Sequence, residues 1–391
     1  MPVDNIILGL RDYKIRGFAG GNPVLVELEY TGPVYCPHCQ GDLLRKKERY
    51  VRRLRHYNFG DRSTVLLLVG RKYLCRSCGR YFNQRFPGIQ PRRRSTEVYR
   101  RHVINDHRDG ICSKTLAKRE RIGSATVERW YHDLLRKKVA ESMNDPCPTE
   151  LGIDEHFFTR RRGYATTLCD LKNHKVYDVV LGRSEASLEG YFNRLTGKDR
   201  VRTVCMDLSV TYRAIVKRHF PNATIVADRF HVIRLINHHF LATWRQLDGV
   251  SSRNRGLLSL MRRHEDRLSE EQRSRLKEYF QKSPEIGAIY HFKQELCWML
   301  RRKTCCPQTC REMIPRLLEM IDQLRSSGFD NMVTLGKTLA DWSEEIVCMW
   351  RYTRNNGITE GFHNKMEMIS RRAFGFRNFE NYRLRVKALC A

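Results

Sequence analysis

Between residues 149 and 227 the apolar segments and helical patterns follow an order that few folds accommodate. Three strand-like segments come first with only short turns between them, and the next two strands are each preceded by a helical pattern. The predicted elements are strands at 151–158, 164–171 and 175–181, a helix at 187–195, a strand at 201–207, a helix at 212–220 and a strand at 223–227. This order predicts an α/β fold built on one sheet.

The order strand, strand, strand, helix, strand, helix, strand is that of a ribonuclease H-like fold, in which acids on the first and fourth strands lie side by side. Asp154 lies within the first strand, and Asp207 ends the apolar run of the fourth. Glu360 follows the turn signal at 355–357 and opens a helical pattern. Hard divalent cations prefer several such oxygens, so the three acids predict a metal site for phosphoryl transfer.

Several neighbouring acids compete with this assignment. Glu155 adjoins Asp154, but neighbours on a strand point to opposite faces, so only one of them joins the site. Glu367 stands two turns after Glu360 on the same helix face and is the main competitor for the third position. Asp170, at the end of the second strand, is interpreted as a turn residue.

The charge of the chain indicates its partner. Lys and Arg number 72 against 43 Asp and Glu, giving a net charge of +29 and a pI near 9.9, which favours a polyanion. The longest apolar runs, such as 65–69, are far shorter than the roughly 20 residues of a membrane span. We therefore expect a cytoplasmic, nucleoid-associated protein with no membrane partner and no small-molecule substrate.

Two Cys-x-x-Cys pairs precede this region and predict a structural zinc ion. Cys36 and Cys39 form one pair, Cys75 and Cys78 the other, and each pair offers two thiolates to a tetrahedral site. The 35 intervening residues exceed the usual spacing, so unrelated thiols are the alternative. His38, inside the first pair, is expected to face solvent.

Residues 92–138 carry 14 Lys or Arg against 6 Asp or Glu and predict a helix-turn-helix. A helix over 113–120 capped by Ser113, a turn at 121–123 and a second helix over 124–137 capped by Ser124 have the required spacing. An ordinary basic helical hairpin is the alternative. Residues expected at DNA are Lys114, Ser124, Thr126, Arg129 and His132, with Arg92, Arg93 and Arg94 on phosphates; Val127, Trp130 and Leu134 are expected to pack inward.

Residues 232–350 interrupt the strand order with amphipathic helical patterns and are predicted to be a helical insertion. Cysteines in this stretch lack the paired spacing of a zinc site and are interpreted as reduced structural thiols: Cys297, Cys305, Cys306 and Cys310. The tryptophans are expected to anchor the core, with stacking against a flipped DNA base as the alternative: Trp298, Trp342 and Trp350.

Five sequence segments, in this order, resemble the DDE transposases of bacterial insertion sequences, and most closely their ISL-three (ISL3) family. The segments are Gly-Ile-Asp154-Glu, Met206-Asp207, Val-Ala-Asp228-Arg-Phe-His231-Val, Asn-Gly-Ile-Thr-Glu360-Gly-Phe-His-Asn-Lys365 and Arg371-Arg-Ala-Phe-Gly-Phe-Arg-Asn-Phe-Glu380. The resemblance implies Asp154, Asp207 and Glu360 as ligands of two Mg²⁺ (or Mn²⁺) ions, beside one structural Zn²⁺. It also implies an Asp-x-x-His element at Asp228 and His231, for which helix capping is the alternative.

The expected function is a DNA transposase that binds the terminal inverted repeats of an insertion sequence and catalyses metal-dependent strand cleavage and strand transfer, acting as a homodimer on element ends and target. The basic C-terminal stretch, including Arg371, Arg372 and Arg377, is expected to hold the DNA backbone. A ribonuclease H-like nuclease or resolvase and a zinc-containing DNA-binding regulator are the alternatives. The predicted divisions are a zinc-binding segment at 1–90, a helix-turn-helix at 91–146, a catalytic core at 147–231 and 351–391, and the insertion at 232–350.

Overall fold

The computed structural model describes residues 7–140, 145–303, 305–352 and 357–390, with the side chains at 357, 358 and 360 left undescribed. The chain divides into two compact units, Met1–Lys137 and Lys138–Ala391. Each unit is described by itself. Within the described ranges, no helix is long and apolar enough to cross a membrane.

The first unit begins with a five-stranded sheet that the sequence predicted only in part. Strand β2 pairs parallel with β4, the other pairings are antiparallel, and the order is β1-β2-β4-β3 with β5 also on β4. The apolar run at 65–69 indicated β4 alone, because β3 carries seven Lys or Arg and lacks apolar alternation. The strands are β1 Tyr13–Ala19, β2 Val24–Tyr30, β3 Leu44–Phe59, β4 Arg62–Cys75 and β5 Tyr81–Asn83.

Three helices follow this sheet: α1 Glu97–Arg108, α2 Ser113–Glu120 and α3 Ser124–Ala140. The α2–α3 pair confirms the predicted spacing, and Arg121 makes the turn with a left-handed φ of 52°. The predicted Ser113 cap is wrong, because Cys112 precedes the helix and its Sγ accepts the Thr115 N–H. Helix boundaries shift by one residue in this way wherever two neighbouring side chains can both cap.

Two positions of α3 differ from the prediction. His132, expected at DNA, is buried, and Leu134, expected in the core, is 41% exposed. The buried face runs instead through Val127 and Trp130 to Tyr131 and Leu135. These residues follow the i, i+3, i+4, i+8 stripe of a helix packed on one side, so position 134 falls on the outer edge of the stripe.

The second unit is built on a five-stranded sheet with the order β10-β9-β6-β7-β8. Strands β6, β7 and β8 pair antiparallel in sequence, whereas β6, β9 and β10 pair parallel. The predicted ribonuclease H-like order is therefore confirmed. The elements are β6 Glu150–Thr159, β7 Gly163–Asp170, β8 Lys175–Leu181, α4 Glu185–Arg194, β9 Thr203–Met206, α5 Val210–His219 and β10 Thr224–Ala227.

Helices cover both faces of this sheet. Helices α4 and α5 and the helices of the insertion share one continuous apolar core with the first face, so the insertion packs as part of the catalytic unit. Helices α13 and α14 form a second core on the other face. The remaining helices are α6 Arg229–Leu247, α7 Arg255–Arg262, α8 Glu270–Lys282, α9 Pro284–Arg301, α10 Pro307–Arg325, α11 Asp330–Asp341, α12 Ser343–Arg351, α13 Gly357–Arg372 and α14 Phe379–Cys390.

The insertion confirms two of the three tryptophan predictions. Trp342 and Trp350 are buried, but Trp298 is 59% exposed with the Arg302 guanidinium 5.1 Å from its ring centroid, so its core assignment is wrong. The residues flanking Trp298 on α9 are buried, which leaves position 298 on the outer side of the helix. The four cysteines interpreted as structural thiols are free, and within the described residues no metal-binding group of side chains includes them.

Arg229 fixes the insertion to the sheet. This residue begins α6 directly after β10, is buried, and donates hydrogen bonds to the carbonyls of Leu300, Arg302 and Met349 at 2.8, 3.1 and 2.6 Å. Those carbonyls lie at the C-terminal ends of α9 and α12, where helices leave carbonyls without internal partners. A single guanidinium therefore anchors two insertion helices beside the end of β10.

Asp178 fixes the last helix to the other edge of the sheet. Its carboxylate accepts two 2.7 Å hydrogen bonds from the Arg383 guanidinium and lies 3.3 Å from Lys387 Nζ, both on α14. Burial alone raises the pKa of Asp178, but the Arg383 hydrogen bonds and the Lys387 charge outweigh it and lower the pKa below its usual value. The pair therefore stabilises the fold wherever Asp178 is ionised.

We expect Asp178→Asn to reduce the free energy of unfolding by about 2–3 kcal/mol at pH 7, because two cationic side chains lose their buried partner. A carboxyl with a depressed folded pKa stabilises above its unfolded pKa of about 3.9 and loses that effect as pH falls, so the difference from wild type shrinks below about pH 4. Denaturation followed by tryptophan fluorescence measures it. Glu380→Gln, which removes an exposed partner of the same Arg383, is the matched control and should cost under about 0.5 kcal/mol.

Candidate active site and zinc site

The pairing of β6 with β9 places two acids side by side. Ile153 lies opposite Met206 in the parallel register, so the next residues of the two strands, Asp154 and Asp207, are neighbours at one edge of the sheet. The backbone N–H of Asp228 donates to the Met206 carbonyl at 2.6 Å, which brings the residue after β10 to the same edge. Three adjacent strands thus each deliver an acid to one place.

Asp154 is buried and Asp207 is half-buried, and neither has a lysine or arginine partner among the described residues. Asp154 is only 7% exposed, and burial raises the pKa of Asp154 to about 7 and the pKa of Asp207 to about 6. In the described part of the chain neither carboxylate forms an ion pair with Lys or Arg, and Asp207 Oδ1 is buried with no hydrogen-bond donor. A buried, uncompensated pair of carboxylates is the donor set that fits a divalent cation.

Asp228 and His231 lie at the same edge. Their contacts agree with both interpretations of the sequence, a helix cap and an Asp-x-x-His element. The Asp228 side chain caps α6 by accepting the Phe230 N–H at 3.4 Å, and its other oxygen lies 2.6 Å from His231 Nδ1. That hydrogen bond raises the pKa of His231, and the charges of Asp154 and Asp207 act in the same direction. Capping orients the carboxylate, which in turn orients the imidazole towards the acidic cluster.

The third acid of the prediction, Glu360, has a side chain outside the described residues, although its backbone belongs to α13. One turn later, His363 Nδ1 lies 3.9 Å from Asp154 Oδ2. Glu367, the predicted competitor, is 59% exposed at its side chain and pairs with Arg371 at 2.6 Å, so it does not join the site.

A chain of hydrogen bonds lies next to this edge and holds His363 in place. The sequence did not predict it. His363 Nε2 lies 3.2 Å from the Thr167 hydroxyl, His156 Nδ1 lies 2.9 Å from the same hydroxyl, and His156 Nε2 lies 2.8 Å from the Tyr382 hydroxyl. Burial lowers the pKa of His363 to about 4 and that of His156 to about 3, so both rings are neutral at pH 7. The strand periodicity could have indicated His156, because it stands two residues after Asp154 and so lies on the same face of the strand.

Among the competing acids, the interpretation of Asp170 as a turn residue is confirmed. Its carboxylate accepts the backbone N–H groups of Lys172 and Asn173 at 3.1 and 3.0 Å. Glu155 pairs with Arg183 at 3.2 Å on the other side of β6, as strand alternation predicts.

The four predicted zinc ligands meet in the first unit. All four sulfur atoms lie within 4.8 Å of one another, with Cys36 Sγ 3.7 Å from Cys78 Sγ and Cys39 Sγ 3.5 Å from Cys75 Sγ. A tetrahedral zinc with Zn–S bonds of about 2.3 Å requires sulfurs about 3.8 Å apart, so the donor set and its spacing fit zinc. His38 is exposed, as predicted.

The two cysteine pairs have the same backbone geometry. The Gln40 N–H donates to the Cys36 carbonyl and the Gly79 N–H donates to the Cys75 carbonyl, both at 2.9 Å. Gln40 and Gly79 both adopt a left-handed conformation, with φ of 62° and 70°. This conformation favours glycine, as at Gly79, while Gln40 adopts it with a side chain at some cost in backbone strain.

The predicted DNA-contacting side chains are accessible except for His132. In the first unit Thr126 is half-buried and the others are exposed: Arg92, Arg93, Arg94, Lys114, Ser124 and Arg129. Arg371, Arg372 and Arg377 are exposed in the second unit.

A sheet of this order, with one acid inside its first strand and a second directly after its fourth strand, defines a ribonuclease H-like phosphoryl-transfer enzyme. Residues 151–386 match the ISL3-type DDE transposase family model, described as a transposase, and residues 32–78 match the zinc finger of transposases of IS204, IS1001, IS1096 and IS1165. The chain is also 26% identical over 390 residues to the transposase for insertion sequence element IS1001 of Bordetella parapertussis, covering 94% of this chain and 92% of the relative.

The chain therefore belongs to the ISL3 family of DDE transposases. DNA binding and strand transfer follow from that membership, as does the requirement of the catalytic domain for a divalent metal ion. The zinc-finger match and the four-cysteine cluster together support one structural zinc ion.

We expect Cys78→Ser to reduce bound zinc from about one ion per chain to near zero and to expose the 32–78 segment to protease, because three ligands do not close a structural site. Metal analysis of the purified protein and limited proteolysis measure both effects. Cys112→Ser is the matched control, since Cys112 lies outside the cluster and serine caps helices well. Full zinc retention in Cys78→Ser would contradict the assignment.

We expect Asp207→Asn to stabilise the protein in buffer without divalent cations. The folded pKa of about 6 exceeds the unfolded value, so ionising Asp207 destabilises the fold as pH rises from about 4 to 6. The variant removes this cost and should gain on the order of 2 kcal/mol at pH 8 and nothing at pH 4. Denaturation curves at the two pH values measure it, with Glu367→Gln as a control that shows no such pH dependence.

Proposed function

We propose that Asp154, Asp207 and Glu360 hold two Mg²⁺ ions at the edge of the second sheet and that this site cuts and joins DNA at the ends of an insertion sequence. The observation that carries the proposal is the Ile153–Met206 pairing, which makes two carboxylates without a lysine or arginine partner neighbours. Glu360 is assigned from its family motif and from its place one turn before His363. Manganese is expected to replace magnesium, since both prefer oxygen ligands in octahedral geometry.

Divalent cations at such a site lower the pKa of bound water and neutralise charge on the phosphate. The protein supplies positioning. His363 approaches the outer oxygen of Asp154, while the Glu155 backbone N–H donates to Asp154 Oδ1 at 2.8 Å, so the carboxylate has one defined orientation. Asp228 holds the His231 imidazole beside both acids, where His231 partly offsets the rise in their pKa values that burial causes.

The reaction we propose is hydrolysis of one phosphodiester bond at the element end followed by strand transfer. Water attacks the phosphate and releases a 3′ hydroxyl, and that hydroxyl then attacks a phosphodiester of the target, expelling a second 3′ oxygen as leaving group. Each step breaks one P–O bond and forms one, so no external energy source is needed. The protein forms no covalent intermediate in this scheme.

Recognition of the element ends is assigned to α2 and α3. Ser124, Thr126 and Arg129 lie at the N-terminal end of α3, the part of a recognition helix that meets base edges in the major groove. Arg92–Arg94, Lys114 and the C-terminal arginines at 371, 372 and 377 are assigned to phosphates, which position DNA without reading sequence. Transposition joins two ends, so we propose a homodimer with one end per protomer.

We expect Asp154→Ala, Asp207→Ala and Glu360→Gln each to reduce cleavage and strand joining by at least about 10³-fold, because each removes a ligand that the transition state requires. The assay uses a duplex carrying the terminal repeat, a target plasmid and magnesium. Glu367→Gln is the matched control on the same helix and should retain activity within about twofold, since its side chain is exposed.

Loss of activity in Glu367→Gln with retention in Glu360→Gln would reverse the third assignment. Cleavage without joining in the wild type would favour a nuclease of the same fold, and sequence-specific binding without any cleavage would favour a DNA-binding regulator. Each result discriminates between the function proposed and one alternative.

A further inference from the structure

Strand β3 of the first unit carries the densest run of basic residues in the zinc-binding sheet. The stretch Arg45–Arg55 contains seven Lys or Arg against one Glu. Two of the seven have structural roles. The Arg52 guanidinium donates to the carbonyls of Gln90 and Arg93 at 3.1 and 2.7 Å, and the Arg55 guanidinium donates to the carbonyls of Thr64 and Glu120 at 3.0 Å each.

The other five basic side chains are exposed and uncompensated: Arg45, Lys46, Lys47, Arg49 and Arg53. In the described part of the chain none of them forms an ion pair, and Glu48, the acid among them, lies 3.9 Å from Lys72 on β4. Elsewhere exposed arginines commonly have acidic partners, as Arg16 has in Glu29 and Arg218 in Glu185. Five adjacent unpaired cations repel one another, and this repulsion is unfavourable. A strand with a purely structural role does not require it.

The position of β3 makes this charge available to a long ligand. It is an edge strand that pairs only with β4 along this stretch, so one row of its backbone groups is also free of sheet partners in the described structure. Residues 45–53 span about 26 Å at 3.3 Å per residue, comparable with three quarters of a turn of duplex DNA. The exposed basic side chains along this edge can therefore contact several phosphates of one duplex.

The far end of β3 connects this surface to the residues already assigned to DNA. Arg55 N donates to the Arg94 carbonyl at 2.9 Å and Thr96 N donates to the Arg55 carbonyl at 3.1 Å, so the segment 92–94 lies along the same edge. At its other end β3 pairs with Cys75 through Leu44, which ties it to the zinc site. The strand therefore runs rigidly from the zinc site to the helix-turn-helix.

We propose that the edge of β3, through Arg45, Lys46, Lys47, Arg49 and Arg53, binds the phosphate backbone of DNA next to the segment read by the helix-turn-helix. This inference rests on the proposed function only in taking duplex DNA as the ligand. The surface adds affinity without sequence preference, because its side chains meet phosphates and no base edges. It also gives the zinc ion a functional consequence, since zinc fixes one end of the strand.

The test compares two full-length, zinc-loaded triple variants that lose the same charge. Lys47→Gln, Arg49→Gln and Arg53→Gln alter the proposed surface; Arg275→Gln, Lys277→Gln and Lys282→Gln alter exposed cations of α8 and serve as the control. Fluorescence anisotropy gives the affinity of each protein for a duplex with the terminal repeat and for a duplex of unrelated sequence, at 50–300 mM NaCl. Zinc content and the melting temperature verify folding.

The β3 variant is expected to bind both duplexes on the order of 10- to 100-fold more weakly at 0.1 M salt. The slope of log K against log salt, which is negative, should become smaller in magnitude by about 2–3. The ratio of affinities for the two duplexes should stay unchanged. A slope and affinity within about twofold of the α8 control overturn the proposal. Equal affinity of the wild type for both duplexes would instead refute end recognition by α3, while the slopes still decide the role of β3.

Discussion

The parallel pairing of β6 with β9 is the constraint on which the catalytic unit depends. It makes Asp154 and Asp207 neighbours, buries Asp154 and half-buries Asp207, and brings neither into an ion pair with a lysine or arginine of the described chain. Ionisation of these two acids therefore costs free energy of folding, and only a bound divalent ion makes the arrangement favourable. Protein interiors tolerate such a site when the surrounding packing stabilises it, and here two apolar cores enclose the sheet from both faces.

Two clamps then determine how the rest of the unit meets that edge. Arg229 holds the ends of α9 and α12 beside the end of β10, between Asp228 and His231 in sequence. On the opposite face, Asp178 holds α14, whose Tyr382 ends the hydrogen-bond chain through His156 and Thr167 to His363. The insertion and the last helix are therefore structural supports of the acidic edge as well as additions to the sheet.

Much of this arrangement follows from the sequence because its signals are local and strong. The strand order from Leu151 to Ala227, the acids on the first and fourth strands and the paired cysteines each have a direct physical meaning. What failed depended on tertiary context. His132 and Leu134 exchanged places because one residue of helical phase decides burial, and β3 was missed because its charges conceal its strand pattern.

Tertiary context also decides the positions of residues that no local sequence pattern indicated. Trp298 is exposed because the core of the insertion lies on the other side of α9, which depends on how seven helices pack. His363 and Tyr382 reach the site from helices that follow Asp154 by about two hundred residues, and only the folded sheet brings His363 to Thr167 and Tyr382 to His156. Long-range polar contacts of this kind leave no periodic trace in a sequence.

The central claim is that the edge formed by Asp154 and Asp207 is a divalent-metal site completed by α13. Binding of Mn²⁺ to the full-length, zinc-loaded protein, measured by electron paramagnetic resonance without DNA, tests it most directly. We expect saturable binding of Mn²⁺ that strengthens as pH rises from about 5.5 to 8, because both carboxyls ionise over this range. The binding should be lost in Asp154→Asn and weakened in Glu360→Gln. Binding that is independent of pH and unchanged in both variants would contradict it.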